Sequence, residues 1–351
     1  MALLAVQEQG YTSVTAKGGA LVVRRGAKEI ISRPVHEVHE LQLYGAVELT
    51  AAARWLVLDR RIDTIFLTRY GQYRGRLVGR DTSNGQRRAA QYQFLLDSSL
   101  ALELAKQLVR SKLKNQRFLL QRVRRDHPDR ASPRSLVALR SLIRRVDEVQ
   151  NLDVLRGVEG FGAVMYFRGL SKAFANPSFA FVHRNRRPPR DPINACLSFG
   201  YTILLTRVES AVWAAGLDPY LGALHEAGRG KPALALDLME ELRPVVVDRT
   251  VLRLINRRQL NPADFVNPEG ELSQIADPEQ EDEKDQSVAV HLGPVGRPIL
   301  LRELGRTWRS RHVDPVRQVK HTLRAIADHQ PQQLGALFEG RRSMYEPFRW
   351  R

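Results

Sequence analysis

The sequence predicts an α+β fold: a small β-rich domain over residues 1–84 followed by a larger all-α domain over residues 85–351. Three observations predict it. Short β-branched runs separated by glycine-containing turns fill the beginning of the chain. Apolar residues at intervals of three and four dominate the remainder, which is the period of a helix. Between the two lies DTSNGQ (81–86), a polar, turn-forming run suited to a domain boundary.

In the first domain YTSVTA, ALVVRR and KEIISR read as strands, the first two joined through Lys17-Gly18-Gly19. HEVHELQLYG and TIFLTRYG repeat the pattern. Between them Thr50 has the chemistry to cap a brief helix, AAARWLVLD, covering one sheet face.

The second domain is expected to open with one long helix from about Arg87 to Lys114, carrying Leu95, Leu102 and Leu113. Ser132-Pro133 supplies the N-cap and first-turn residues of the next. Arg122, Arg124, Arg125, Arg134, Arg140, Arg144 and Arg145 crowd this region. Nearly all its charges have one sign, so phosphate binding competes with a plain solvated face.

In NLDVLRGVEGFGAVMYFRGL, Leu152, Leu155, Gly162 and Tyr166 form one helical stripe, with Val154, Val158, Phe161 and Met165 beside it. Glu159 falls between these rows. A carboxylate there is costly to bury unless it is paired or metal-bound, and Arg156, one turn back, is the ordinary partner. Gly157, Gly160 and Gly162 weaken the helix but permit another backbone to approach. FVHRNRRPPRDPINA then places Arg184, Arg186, Arg187 and Arg190 in a proline-rich loop, read as extended, basic and mobile.

The stretch over residues 194–256 organises the rest. Leu197, Tyr201, Leu204, Val208, Val212 and Ala215 recur with helical spacing, Gly216 stops that helix, and Asp218-Pro219 is expected to start a short one. His225 follows, ahead of a loop with Gly228, Gly230, Lys231 and Pro232. Asp237, Glu240 and Glu241 then stand at i, i+3 and i+4, close to one face of a further helix. Carboxylates grouped after a positioned histidine suit Mg²⁺ or Mn²⁺. The plain alternative is an amphipathic helix burying Leu234, Leu238 and Leu242 with its acids in water, and an ordinary hydrogen-bonded histidine. Pro244 would kink that helix if it continues.

Beyond residue 256, NPEGELSQIADPEQEDEKDQ reads as an acidic, polar connector. VAVHLGPVGRPILL reads as a hairpin, and LRELGRTWRSRH and PVRQVKHTLRAIADH as closing helices.

Composition narrows the function. With 55 Lys and Arg against 38 acids the formal charge is 55 − 38 = +17, which calls for an anionic partner. No apolar run approaches the ~20 residues that span a bilayer, so nucleic acid is preferred over membrane, and MALLAVQEQGY lacks the basic start of a signal peptide. The single cysteine, Cys196, excludes an internal disulfide and a cysteine-based zinc site, and fits a reducing cytoplasm. GRGKP is no P-loop, GFGAVM lacks the last glycine of a dinucleotide fingerprint, and neither HExxH nor GxSxG occurs.

RGVEGFGAVMYF, RPPRDPINACLSFGY, AGLDPYLGALHE and LALDLMEELRPVVVDR follow one another in order. Together with the strand-rich beginning and the ending GALFEGRRSMYEPFRW, they resemble CRISPR-associated protein one, the integrase of CRISPR adaptation. The resemblance implies an N-terminal β domain for dimerisation and partner contact, and a helical catalytic domain. It implies a Mn²⁺ or Mg²⁺ ion held by Glu159, His225 and Glu240, with the spacing 240 − 225 = 15 in the family's common form. Asp237 matches a further acidic position near the metal, and some members place a different acid third, so the division between Asp237 and Glu240 stays open. Lys231 and Arg243 are candidates for steadying phosphate, with salt-bridging as the alternative for both. Arg184, Arg186 and Arg187 are candidate DNA contacts.

The implied reaction inserts a short DNA duplex into a repeat array by transesterification. A DNA 3′-hydroxyl attacks a phosphodiester and releases another 3′-hydroxyl, which needs no ATP site. Implied partners are double-stranded DNA (donor fragment and repeat array), a second copy of the chain, and a small adaptation subunit bridging two dimers. Two rival functions use the same inventory: a stand-alone metal-dependent nuclease that activates water, and a non-catalytic architectural DNA-binding protein. The second rival gives no role to clustered acids.

Overall fold

The computed structural model describes residues 2–69, 71, 73–77, 79, 85–185, 188–267 and 289–350. Arg186, Arg187, residues 81–84 of the boundary run and nearly all of the acidic connector lie outside the described residues. The chain divides into two compact units, Met1–Thr82 and Ser83–Arg351.

The first unit contains β1 (Ala2–Gln7), β2 (Thr12–Lys17), β3 (Ala20–Arg25), β4 (Lys28–Pro34), β5 (Val38–Tyr44), β6 (Glu48–Leu49), α1 (Ala51–Asp59), β7 (Asp63–Leu67) and β8 (Tyr73–Leu77). Two four-stranded sheets result, in the orders β1-β5-β7-β8 and β4-β3-β2-β6. The β2–β3 register pairs Lys17 with Ala20, leaving Gly18 and Gly19 as a two-residue turn with φ of 58° and 73°. Both angles lie where side chains with a Cβ are strained, which is why two glycines stand there. Thr50 caps α1, its side chain accepting the Ala53 N–H at 3.4 Å. Leu4, Val14, Leu21, Leu41, Leu43 and Val57 meet in one core. The sequence reading assigns β2 to β5 and β7 but not β1, β6 or β8. β6 has two residues, and β8 (YRGRL) carries two arginines, one of which is paired with Asp63 at 3.0 Å.

The second unit contains α2 (Gly85–Leu96), α3 (Ser98–Asp126), α4 (Pro133–Glu148), α5 (Leu152–Ala173), α6 (Pro192–Ala214), α7 (Ala233–Met239), α8 (Arg249–Asn256), α9 (Gly296–Arg309) and α10 (Leu323–Phe338). The single helix expected over 87–114 is two. Asp97 accepts the N–H groups of Ser99 and Leu100 at 2.9 and 3.1 Å, ending α2 and capping α3. α3, α4 and α5 pack on one another. At Gly162 and Gly169 a Cβ would run into Leu113 and Leu120 of α3, whereas Gly157 and Gly160 face open space, so close approach is confined to the former pair.

α6 is buried along its length, and Cys196 within it is fully covered. Asp218-Pro219 starts no helix. The Asp218 side chain accepts the Tyr220 N–H at 2.8 Å, and its carbonyl takes Gln91 Nε2 at 2.8 Å, so side-chain bonds hold an irregular segment instead. After α7 the residues Pro244–Asp248 form a π-helical turn leading into α8, the local consequence of a proline without an N–H.

The hairpin expected at VAVHLGPVGRPILL is not present: His291–Leu292 pairs with Phe265–Val266, and Gly296 already begins α9. The last expected helix starts later, at Leu323, where Thr322 caps it after a short hairpin of Arg311–Val313 with Lys320–Thr322. Among the described residues no helix is long and apolar enough to cross a membrane.

Candidate functional site

Asp237, fully buried on α7, organises the loop that carries His225. Its Oδ2 accepts the N–H groups of Ala223 and Leu224 at 2.6 and 3.0 Å, and its Oδ1 accepts the His225 N–H at 3.0 Å. The same Oδ1 lies 2.7 Å from His225 Nδ1. A carboxylate oxygen accepts, so Nδ1 carries a proton, and Nε2 is the nitrogen that can offer a lone pair. Gly222 makes room for this: a Cβ there would stand 2.6 Å from Asp237 Oδ2 and 2.8 Å from the Ala233 carbonyl carbon. Arg156 fastens the loop from α5, donating to the Leu224 carbonyl at 3.0 Å and to Glu226 at 2.8 Å. It is therefore not the partner of Glu159 that its spacing suggested.

That partner is Lys112 of α3. Its Nζ is ion-paired with Glu159 Oε1 and, at 2.5 Å, with Glu240 Oε2. The second contact lacks hydrogen-bond directionality, leaving Glu240 Oε2 a buried oxygen without a well-aligned donor. The other Glu240 oxygen lies 3.2 Å from Arg243 Nη2 and 4.0 Å from His225 Nε2. Burial by itself would raise the Glu240 carboxyl, but Arg243, Lys112 and His225 together outweigh it and hold it below the usual range. Burial likewise opposes the Lys112 ammonium, and Glu240 and Glu159 reverse that, raising its pKa.

The three acids of the α7 region do not share one face. α7 ends at Met239, Glu240 turns toward His225, and Glu241 points to the C-terminal segment. There Glu241 accepts from Gln330 Nε2 at 2.6 Å, the Tyr345 hydroxyl at 2.9 Å and the Phe348 N–H at 2.8 Å. Its surroundings push its carboxyl up to about 8, burial being the main cause. It anchors the chain end.

Behind Glu240 runs a second buried network. Arg243 stacks over the Tyr201 ring at 4.8 Å, and the hydroxyls of Tyr201 and Tyr166 donate to the two oxygens of Asp248 at 2.5 and 2.6 Å. Burial lifts Asp248 to about 6 against the opposing pull of both tyrosines and Arg243. Arg184 joins this cluster, 5.4 Å from the Tyr201 ring and bonded to Asn194 Oδ1 at 2.7 Å and Ser198 Oγ at 2.9 Å. It is tied to the start of α6 and not carried on a free basic loop. Arg243 is committed to Glu240 and Tyr201. Lys231 stands exposed on the turn where its N–H meets the Gly228 carbonyl at 3.0 Å. Of the arginine run, Arg122 lies 5.3 Å from the Trp350 ring, while Arg124, Arg125 and Arg140 join Arg117 along a groove of about 470 Å³.

Sequence reasoning missed Lys112, Gly222 and Asp248. A signal for Lys112 exists: Leu104, Leu108, Lys112, Asn115 and Leu119 follow the buried stripe of α3, and a lysine on such a stripe needs an acid.

Among the described residues no three histidine, cysteine or acidic side chains already form a closed metal-binding group. The donor set nevertheless fits a hard divalent cation. Two carboxylates converge on one point now taken by an ammonium, Glu240 Oε2 lacks an aligned donor, and His225 Nε2 presents a lone pair nearby.

The family model described as CRISPR associated protein Cas1 matches residues 4–277. A CRISPR-associated exonuclease Cas4/endonuclease Cas1 fusion of Geobacter sulfurreducens is 37% identical over 264 residues, 73% of this chain, and this chain spans 47% of that protein's length. CRISPR-associated endonuclease Cas1 3 of Thermus thermophilus is 36% identical over 267 residues, 76% of this chain and 77% of the relative. Among solved structures, a casposase bound to integration product matches with a TM-score of 0.83, covering 99% of this chain and 93% of that one. At 22% identity that likeness speaks for the fold.

Proposed function

The chain belongs to the Cas1 family of CRISPR-associated proteins, and on that premise we propose that it is a metal-dependent DNA integrase that inserts short duplexes into a repeat array. The observation that carries the reading is the convergence of Glu159 and Glu240 on the Lys112 ammonium, with His225 Nε2 4.0 Å from the other Glu240 oxygen. A point that accommodates a cation between a buried and a half-buried acid, with a pre-oriented imidazole beside it, has the chemistry of a Mn²⁺ or Mg²⁺ seat.

Glu159, His225 and Glu240 would hold the ion, which supplies positive charge to the oxygens of the reacting phosphodiester. Asp237 fixes the His225 tautomer and ring direction. With Nδ1 given to Asp237 and Nε2 facing the ion, His225 has no nitrogen left to act as a base. Arg243 braces Glu240 at the oxygen that Lys112 does not touch. The donor 3′-hydroxyl displaces the 3′-oxygen of the target strand: one P–O bond forms, one breaks, and the hydroxyl proton ends on the leaving oxygen. The excess of basic residues along the α3–α4 groove supports duplex DNA as partner. Family membership adds a second copy of the chain, a small adaptation subunit bridging two dimers, and a cytoplasmic setting.

The experiment separates integration from hydrolysis. The protein is incubated with its partner subunit, Mn²⁺, repeat DNA and a short donor ending in either a 3′-hydroxyl or a 3′-deoxy nucleotide. Integration requires a joined strand with the first donor and none with the second. Equal target cleavage with both donors and no joined strand would make water the nucleophile and the chain a nuclease.

A further inference from the structure

We propose that Lys112 is the resident cation of this site: its ammonium neutralises Glu159 and Glu240 in the metal-free chain, and a divalent cation binds by displacing it, tightly only once DNA phosphate is present. The inference rests on the metal reading above and adds a regulation to it.

The charges around the site set the requirement. Glu159, Glu240 and Asp237 contribute three negative charges against the two positive charges of Lys112 and Arg243. The side chains of Lys112 and Glu240 are only 6% and 3% exposed, so solvent screens little of any imbalance. A divalent cation and the ammonium cannot both sit between Glu159 and Glu240, so binding the ion drives the Lys112 ammonium out of its two ion pairs, which opposes binding. Phosphate oxygens arriving with DNA give the displaced ammonium a new partner and so remove that cost.

The two cations differ in their freedom to move. Arg243 is held by Glu240, by Met239 Sδ at 3.6 Å and by the Tyr201 ring at 4.8 Å. The partners of Lys112 are the two acids alone among the described residues. Its ammonium is a compact point charge on a flexible stem, and its Glu240 contact is poorly directed. The backbone beneath it stays in place: Ser111 and Asn115 bind the Phe348 carbonyl at 2.7 and 3.0 Å, fastening α3 on both sides of Lys112. The side chain can leave without moving the helix.

The test measures Mn²⁺ affinity by titration calorimetry on the full chain, with and without a non-reactive duplex ending in 3′-deoxy nucleotides. A neighbouring charge changes proton affinity by about one to three powers of ten, and the lower end sets the expectation for the metal. Lys112→Met should bind Mn²⁺ about tenfold or more tightly than wild type in the absence of DNA. The duplex should tighten wild type by a similar factor and the variant much less. Unchanged Mn²⁺ affinity in a folded Lys112→Met, with His225→Ala abolishing binding, overturns the Lys112 proposal and leaves the metal site standing. If His225→Ala binds Mn²⁺ like wild type, both readings fall. Should Lys112→Met not fold, the wild-type comparison decides alone, and no tightening by the duplex rejects the proposal.

Discussion

His225 and Asp237 are joined twice, ring Nδ1 and backbone N–H both meeting the same Asp237 oxygen, at 2.7 and 3.0 Å. Asp237 thus sets which imidazole nitrogen faces Glu240. Its other oxygen accepts from Ala223 and Leu224, so each Asp237 oxygen already has two N–H partners.

Replacing Asp237 by Asn keeps the volume but removes one acceptor oxygen and the preference for a protonated Nδ1. Partners in this position typically change metal affinity by about 10–100-fold, and that loss is expected in a Mn²⁺ titration of Asp237→Asn. An affinity within a factor of two of wild type would mean that the histidine holds its tautomer without the acid.

Gly222 makes a second, purely steric prediction. Its missing Cβ is the space in which Asp237 and the Ala233 backbone approach, and backbone cannot yield cheaply. Gly222→Ala is expected to destabilise the chain by about 1–3 kcal/mol, seen as a lower urea midpoint, and to weaken Mn²⁺ binding through His225. Gly157→Ala is the control, since a Cβ there meets nothing within 4 Å and helix propensity favours it.

The comparison of Gly222 with Glu159 shows what the sequence reveals. Local chemistry was readable: the Thr50 and Ser132 caps, the Gly18-Gly19 turn and the α6 periodicity all leave marks within a few residues. Glu159 was readable as a misplaced acid, but its partner was not. Arg156 competes at one turn's distance, and only the packing of α3 on α5 selects Lys112, 47 residues away. The i, i+3, i+4 pattern of Asp237, Glu240 and Glu241 held for the first pair, which both address His225, whereas Glu241 turns to the C-terminal segment. Asp97 divided a helix that periodicity alone carried straight through.

The arginine groove between α3 and α4 makes a prediction about salt. Each phosphate contact contributes about 0.9 to the slope of log affinity against log salt on duplex DNA. Combined replacement of Arg117, Arg124 and Arg140 by alanine should lower that slope by about 2–3, while Mn²⁺ binding without DNA stays as in wild type. A slope equal to that of wild type would take this groove out of the DNA path.

Asp248 yields a pH prediction. Burial raises its carboxyl from 3.8 to about 6 in the folded chain, even though Tyr166 and Tyr201 both donate to it. Between those values the folded chain holds a proton that the unfolded chain has released, so stability falls as pH rises. The contribution is fully present below the unfolded value, is lost on the way up through about 6, and is constant above. A gap of about two units corresponds to about 3 kcal/mol. An amide in this place cannot titrate, so Asp248→Asn should gain on wild type by about that much between roughly pH 4 and 7 in urea unfolding. Tyr166→Phe removes a donor to the carboxylate and should carry the wild-type window upward. If the stability difference between wild type and Asp248→Asn does not change between roughly pH 4 and 7, the folded carboxyl titrates no higher than the unfolded one and is ionised across that window. The Tyr166–Asp248–Tyr201 network would then support Arg243, and through it Glu240, with a permanent charge.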